Sequence, residues 1–540
     1  MVFGKKVFLS EKTLFTILAL LQLVPYFAIS LMPSMDGPQH LHNSQVIIQL
    51  LGNNPVFQDY YNINPVVVGY WTGHFLLALY NFIFPASLAE SLLISTYLLG
   101  LAYSFRYVVV AINPEPSYLT ILIVPFSYTF YFLMGYYSFS LAFVFVFLLF
   151  GYYYKNRNQL DFKNILVLFL LISGTFLSHA FVFALFGFGL VLFVLLEFLF
   201  DLSRHGKFAD QFRIHGKRAA LLLVASLPAI IMFVIYIRSV MGIDATVISE
   251  RYDFNERLHF IMRIRAIVGF HLGKESYANY VYWIVMFIAI NYVLHKFFVR
   301  MKVESLTRKQ TWHWFFSVRY IWAYLALVFL VIYFVIPDRI SAGNLVSRIA
   351  VFVFYFLIIW VASLKLPKKL SGWLAAIVIV FFFHQAHYRA KTLYNLSVFG
   401  RDLQTLEQYI EPNTILYPYR VSSHWVDLHF INYLGINKPV INLGNPQCGG
   451  QFPVVWNNEN MPVLMVGDRN VTDQYSRNHS RSTNHEVKYV DYVAVYRWGE
   501  FNQAEGHEEF KNILDEFYEL TQVSPKGNAA LFTLKQPTGR

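Results

Sequence analysis

The stretch NILVLFLLISGTFLSHAFVFALFGFGLVLFVLLEFLFDL, residues 164–202, is apolar almost throughout. A helix crosses a hydrocarbon core of about 30 Å with about 20 residues. The run is about twice that length and reads as a helical hairpin, with SHAF at its tip carrying Ser178 and His179. Backbone in lipid must satisfy its own hydrogen bonds, so a run of this kind crosses as helix. Composition points the same way: 56% of the 540 residues are hydrophobic and 14% charged. No soluble fold hides that much apolar surface. The fold class expected is therefore a polytopic α-helical membrane protein.

Basic clusters orient the spans. They lie at Lys155/Arg157/Lys163, Arg204 to Arg218, Lys296 to Lys309 and Lys365/Lys368/Lys369, and the preference of Lys and Arg for cytoplasmic loops places all four inside. That puts His179 near the outer face. Spans near 219–238 and 277–295 then enclose an outer segment, spans near 319–337 and 349–364 enclose the outer loop DRISAGNLVSR, and a last span near 370–386 sends the rest of the chain out. Between residues 66 and 154 four apolar segments (66–84, 88–104, 117–134, 137–154) separate an outer loop from an inner one. An odd number must cross. The weakest, 66–84, holds Gly73 and His74 after the turn signal NINP and reads as interfacial or re-entrant. About 11 spans result, N-terminus inside and C-terminus outside. Lys5, Lys6 and Lys12 precede an uncleaved first span.

Two domains follow, a membrane domain over 1–386 with a first outer loop at 33–71, and a soluble extracytoplasmic domain over 387–540. The tail has strand-like runs at NTILYPYRV, KPVINL, PVLMVG, DYVAVYRW and AALFTL and a helical pattern at EEFKNILDEFYELTQ, which suits an α/β or α+β fold. The single cysteine, Cys448, allows no intramolecular disulfide and sits in a turn-rich loop with no base beside it. The net charge of +11 is spent on topology, so nucleic acid is not an expected partner.

The first dense polar cluster, PSMDGPQHLHNS at 33–44, falls outside, directly after the first span. Asp36-Gly37-Pro38 reads as a helix start, with Pro in the first turn and Asp ahead of it. His40 and Ser44 then share a face toward which Asp36 points, and His42 and Asn43 flank it. An acid at the positive end of a helix is favoured when ionised, as a general base or a metal ligand must be. The bland reading is a helix cap beside interfacial histidines. The density of polar residues next to a bilayer favours function.

The order of parts, together with SMDGPQHLHN, AESLLISTYLLGLAYSFRYVVVAINPEP, FLMGYYSFSLAF and FLSHAF, resembles the C-type glycosyltransferase (GT-C) superfamily and uncharacterised bacterial membrane proteins of that build. The likeness covers the membrane domain only. It implies transfer of a sugar from a polyprenyl-phosphate donor to a lipid, glycan or protein acceptor on the outer side of a bacterial inner membrane. Asp36 matches the first-loop acid that serves as base or metal ligand. The chain departs from members with paired first-loop acids, since Gly37 follows Asp36 and the next acid is Asp59. A two-carboxylate metal site is therefore not expected, a divalent cation stays open, and His40 is the candidate for the second role.

Such chemistry needs a base for the acceptor hydroxyl and cations for the leaving phosphate. The expected catalytic pair is Asp36 and His40. Arg339 and Arg348 are expected on the phosphate, because a guanidinium fork grips its oxygens; Arg251, Arg257, Arg263 and Arg265 are the reserve. His42, Asn43, His74 and His179 complete the candidate binding residues, although His74 and His179 equally suit a helix core. His424, Asp427 and His429 of SHWVDLHF make a weak metal pattern, the histidines being five apart. Tyr417, Tyr419, Trp425 and Trp456 suit core packing or sugar stacking, and Asn395, Asn470 and Asn478 open acceptor patterns for glycosylation. Two rival functions are transport of a lipid-linked substrate, which broken helices and internal symmetry would signal, and a non-catalytic assembly factor.

Overall fold

A computed structural model describes residues 9–241, 249–250, 252–271, 273–303, 310, 313, 315–317, 320–340, 343–421, 424–475, 481–503 and 505–535. The chain forms two compact units. One consists of Met1–Val24, Tyr97–Leu133 and Phe139–Tyr388, the other of Pro25–Thr96, Met134–Ser138 and Arg389–Arg540.

Among the described residues seven helices are long and apolar enough to cross a membrane: Ala86–Ile112, Tyr137–Asn156, Ala180–His205, Phe208–Ser239, Tyr277–Lys302, Leu345–Ser363 and Lys368–Tyr409. Phe162–Ser178 and Ile321–Val335 are shorter apolar helices. The chain is thus a polytopic helical membrane protein with a strand-containing C-terminal region. The run at 164–202 divides at His179, whose extended backbone (φ −162°, ψ 114°) ends one helix and whose Nδ1 accepts the Val182 N–H of the next.

Three expected elements differ. The segment 117–134 is not one helix but a 3-10 turn at Tyr118–Leu122 and short helices at Ile123–Phe126 and Phe130–Leu133. Pro125 lacks the N–H a continuing helix would use. Ser127 and Thr129 turn their hydroxyls onto nearby backbone, Ser127 donating to Val124 O and Thr129 accepting from Phe132 N–H. Such a break is tolerated because protein surrounds it: Leu119 to Val124, Phe126, Tyr131, Phe132 and Leu133 are all buried. The last long helix does not stop at 386 but runs over Lys368–Gln404, roughly 55 Å at 1.5 Å per residue. Finally, EEFKNILDEFYELTQ is helical only over Glu508–Phe517; Tyr518–Val523 is a strand, as the alternation of YELTQV allows.

In the first unit, Arg106 meets Glu11 through two hydrogen bonds of 2.6 and 3.1 Å. Arg257, one of the reserve arginines, is buried and given over to structure. It donates to Asp338 Oδ2 at 2.5 and 3.1 Å, to Tyr333 O and to Ile336 O.

The second unit is built on a five-stranded mixed sheet in the order Tyr518–Val523, Ala529–Leu534, Tyr492–Tyr496, Thr414–Arg420, Val440–Asn442. The three middle-to-edge neighbours Tyr492–Tyr496, Thr414–Arg420 and Val440–Asn442 run parallel, and the other two pairings are antiparallel. Four of the five strands fall on runs that the sequence marks as strands, and Tyr518–Val523 is the one expected as helix. The first outer loop belongs to the same core: Val46, Ile47, Phe57, Tyr60 and Tyr61 pack with Ile415, Ile441, Val493 and Phe532. Tyr61–Ile63 pairs antiparallel with Val454–Trp456, and Tyr61 stacks on Trp456 at 4.7 Å.

Candidate functional site

The site grows from the start of the helix Gly37–Leu51. Pro38 occupies its first turn, and Asp36 is its N-cap by position, yet the Asp36 side chain makes no cap hydrogen bond. Ser34 takes that role, its Oγ accepting the Gly37 N–H at 3.2 Å. The Asp36 carboxylate faces His429 instead, Oδ1 to Nε2 3.7 Å, and both side chains keep 18% of their surface exposed.

Around this pair the polar groups are closed in. Asp36 N–H donates to Met134 O at 2.9 Å. Gly135 follows with φ +87°, and a Cβ there would lie 2.5 Å from Gly37 N and 2.9 Å from Asp36 N, so a glycine alone fits. Tyr137, two residues on, points its hydroxyl at Glu90 Oε1 (2.7 Å) and lies 3.4 Å from Ser34 Oγ. Glu90 Oε2 accepts the Met32 N–H at 3.1 Å, and Tyr433 donates to Met32 O at 2.7 Å. Glu90, Tyr137 and Ser34 are all buried.

His40 and His74 come together, as neither periodicity nor motif suggested. His74 Nδ1–H donates to Tyr70 O at 2.9 Å, which leaves Nε2 to accept from His40 Nδ1–H at 3.2 Å. Burial lowers both rings, His40 well below the usual histidine value with His74 adding to the effect, and His74 to about 4. Both are therefore neutral near pH 7. His40 directs its Nδ1 to His74, and its backbone N–H to Asp36 O.

His42 and Asn43 are fully buried and engaged by the loop after Val440–Asn442. His42 Nε2–H donates to Val440 O at 3.0 Å while Nδ1 accepts from Asn445 Nδ2 at 3.3 Å. Asn43 donates to Gln447 Oε1 at 3.0 Å and accepts from Asn445 at 2.7 Å. Burial lowers His42 to about 4. Cys448 is buried against Asn43 Oδ1, and burial pushes its thiol up, opposite to what a nucleophile needs.

His429 reaches the site from the tail. Burial and then the charge of Arg420 lower it to about 3. Its sequence neighbours in SHWVDLHF do other work. Asp427 accepts from Arg497 Nη2 at 2.6 Å and Tyr496 at 3.2 Å, and His424 Nδ1 accepts the Val426 N–H at 3.3 Å. Among the described residues no three His, Cys, Asp or Glu side chains gather as metal ligands. Asp36 and His429 offer two donors between them, too few for a closed zinc site.

In the first unit His179 and Arg348 come together. The His179 ring meets Phe139 edge-on at 5.3 Å, the Arg348 guanidinium lies 5.9 Å from the same ring and 5.8 Å from Tyr131 and Phe181, and the Arg348 charge acts on His179. Tyr131 bonds Ser347, next to Arg348. Arg339 has its backbone in a short strand paired with Asn344 and Glu250, and its side chain lies outside the described residues, as do Arg251 and Asn478. Arg265 lies over the Phe260 ring at 4.7 Å, and Arg263 closes the helix Phe254–Met262.

Glu90, Tyr137 and Arg420 are not among the residues the sequence singles out. Glu90 is a lone acid in an apolar helix, and that isolation is itself the available signal. His429 was visible only as part of a poor metal pattern.

No protein family matches the chain, and no curated protein is similar to it. Among solved structures, the crystal structure of ArnT from Cupriavidus metallidurans in the apo state is similar over 97% of this chain and 98% of that one, at 11% identity and a TM-score of 0.44. A likeness of that size says nothing of activity.

Proposed function

We propose that the chain is a membrane glycosyltransferase of the GT-C type, moving a sugar from a polyprenyl-phosphate donor to a lipid or glycan acceptor on the outer face of a bacterial inner membrane. Asp36 is the general base. It takes the acceptor hydroxyl proton as the acceptor oxygen bonds to the sugar anomeric carbon. The bond from that carbon to the carrier phosphate breaks, and its electron pair leaves with the phosphate.

One observation carries the reading. Asp36 occupies a cap position without capping and stays partly open while Ser34, His40, His42, Asn43, His74 and Glu90 are buried. A reacting group must be reachable by its substrate, and of these side chains Asp36 is the one that keeps surface for it. His429, 3.7 Å away and neutral, orients the carboxylate. Arg420, whose charge reaches His429, is assigned to the phosphate. His42 and Asn43 serve to fasten the helix Gly37–Leu51 to the tail loop and are not assigned to substrate.

The test is a thermal-shift and transfer assay on the full chain in detergent, with a panel of radiolabelled polyprenyl-phosphate sugars. Stabilisation by one donor and release of its label to acceptor or water support the reading. No shift and no turnover with any donor would overturn it in favour of transport or assembly.

A further inference from the structure

We propose that Glu90 and Tyr137 are positioning residues that set the place of Asp36 by clamping the segment 32–37 that carries it; this rests on the reading of Asp36 as base.

The clamp is continuous. Glu90 Oε2 holds the Met32 N–H (3.1 Å), and Oε1 holds the Tyr137 hydroxyl (2.7 Å). That hydroxyl reaches Ser34 Oγ (3.4 Å), which holds the Gly37 N–H (3.2 Å). Tyr433 fixes the other side of the Met32 peptide through its carbonyl (2.7 Å). Met134, three residues before Tyr137, takes the Asp36 N–H (2.9 Å). The Met32 N–H thus ends on Glu90, the Asp36 N–H on the turn leading into Tyr137, and the Gly37 N–H on Ser34, which the Tyr137 hydroxyl reaches.

The acid itself argues for more than packing. Glu90 is 1% exposed, and among the described residues no Lys or Arg pairs with it. A buried carboxylate without a cation is costly, and an amide would fill the same space more cheaply. What an amide lacks is a second acceptor oxygen. Glu90 accepts from two donors at once, and a glutamine there must give up one of them or reverse the Tyr137 hydroxyl. Misplacing a catalytic group by about 1 Å costs roughly 100-fold in rate, which is the effect this clamp prevents. The stretches 33–42, 86–95 and 134–140 thereby meet at one point, although they lie far apart in sequence.

The experiment compares Glu90→Ala, Glu90→Gln, Tyr137→Phe and Asp36→Asn in the full chain, by transfer kinetics and by hydrogen exchange of peptides spanning residues 30–38. Glu90→Ala is expected to lower kcat about 100-fold with donor KM within about threefold. It should speed exchange at Met32 and Gly37 while exchange over Thr414–Arg420 and Tyr492–Tyr496 stays as in wild type. Glu90→Gln is expected to recover roughly tenfold of the lost rate, having one of the two acceptors. Asp36→Asn should lose turnover with exchange unchanged, which separates the base from its clamp. Wild-type exchange at Met32 and Gly37 in Glu90→Ala, or faster exchange throughout the sheet, would overturn the proposal. If the wild type transfers no sugar, the reading of Asp36 fails by itself, and the exchange profile still decides the clamp.

Discussion

Two acid–base pairs in segments read as outer loops invite comparison. Arg257 and Asp338, in the first unit, are 2.5 Å apart and almost completely buried, with the guanidinium also bonded to two backbone carbonyls. Asp36 and His429, in the second, are 3.7 Å apart and each 18% exposed. In the first pair all three guanidinium nitrogens are engaged, the pattern of a structural lock. The second keeps part of its surface open in a surround of buried polar groups, as the proposed base requires. Residue type made Asp36 the expected base and Arg257 a reserve cation for the phosphate; burial and bonding take Arg257 out of that reserve.

That contrast can be broken in four ways. Asp36→Asn is expected to cost about 10³-fold in transfer rate, within the range for a general base and equivalent to about 4 kcal/mol, with no measurable change in thermal midpoint. Arg257→Met should do the opposite. It leaves a buried carboxylate without its partner and is expected to destabilise by about 3 kcal/mol or more, lowering the unfolding midpoint in detergent before any effect on the turnover of folded protein. A midpoint unchanged in Arg257→Met would show that the pair is not a lock.

Acid is the third lever. His42 is buried neutral with a folded value of about 4 against 6.5 unfolded. The unfolded chain therefore binds its proton first. Stability is whole above about pH 6.5 and is lost as pH falls toward 4, by on the order of 3 kcal/mol. His74, also at about 4, acts in the same direction. Unfolding midpoints measured from pH 7.5 to 4.5 should fall, and more gently in His42→Gln, whose amide can still donate to Val440 O. The smallest effect is expected from His429→Gln, about tenfold in kcat with an unchanged midpoint; a loss as large as that of Asp36→Asn would make His429 the base.

Much of the membrane part was legible because apolar length is a one-dimensional signal: Leu345–Ser363 and Tyr137–Asn156 lie close to where the runs end. The helix start at Asp36-Gly37-Pro38 was legible too, since Pro38 fixes its own φ. The chain also hid a good deal. The broken segment 117–134 is as apolar as a span, and only Pro125 and the hydroxyls of Ser127 and Thr129 betray the turns. Tyr518–Val523 continues a helical pattern and becomes a strand by pairing with Ala529–Leu534, a partner that local spacing does not name. Residues 46–61 share a core with 415–532, a return across most of the chain that composition cannot show. Glu90 and His429 belong to the site only through partners 58 and 393 residues away, at Met32 and Asp36 respectively; these are three-dimensional facts.

The central claim is that Asp36 is the base, and the most direct measurement is single-turnover transfer by purified wild type and Asp36→Asn at saturating donor, with donor binding measured on the same preparations. The account predicts equal donor binding and a chemical step about 10³-fold slower in Asp36→Asn. A chemical step in Asp36→Asn as fast as that of wild type would contradict it.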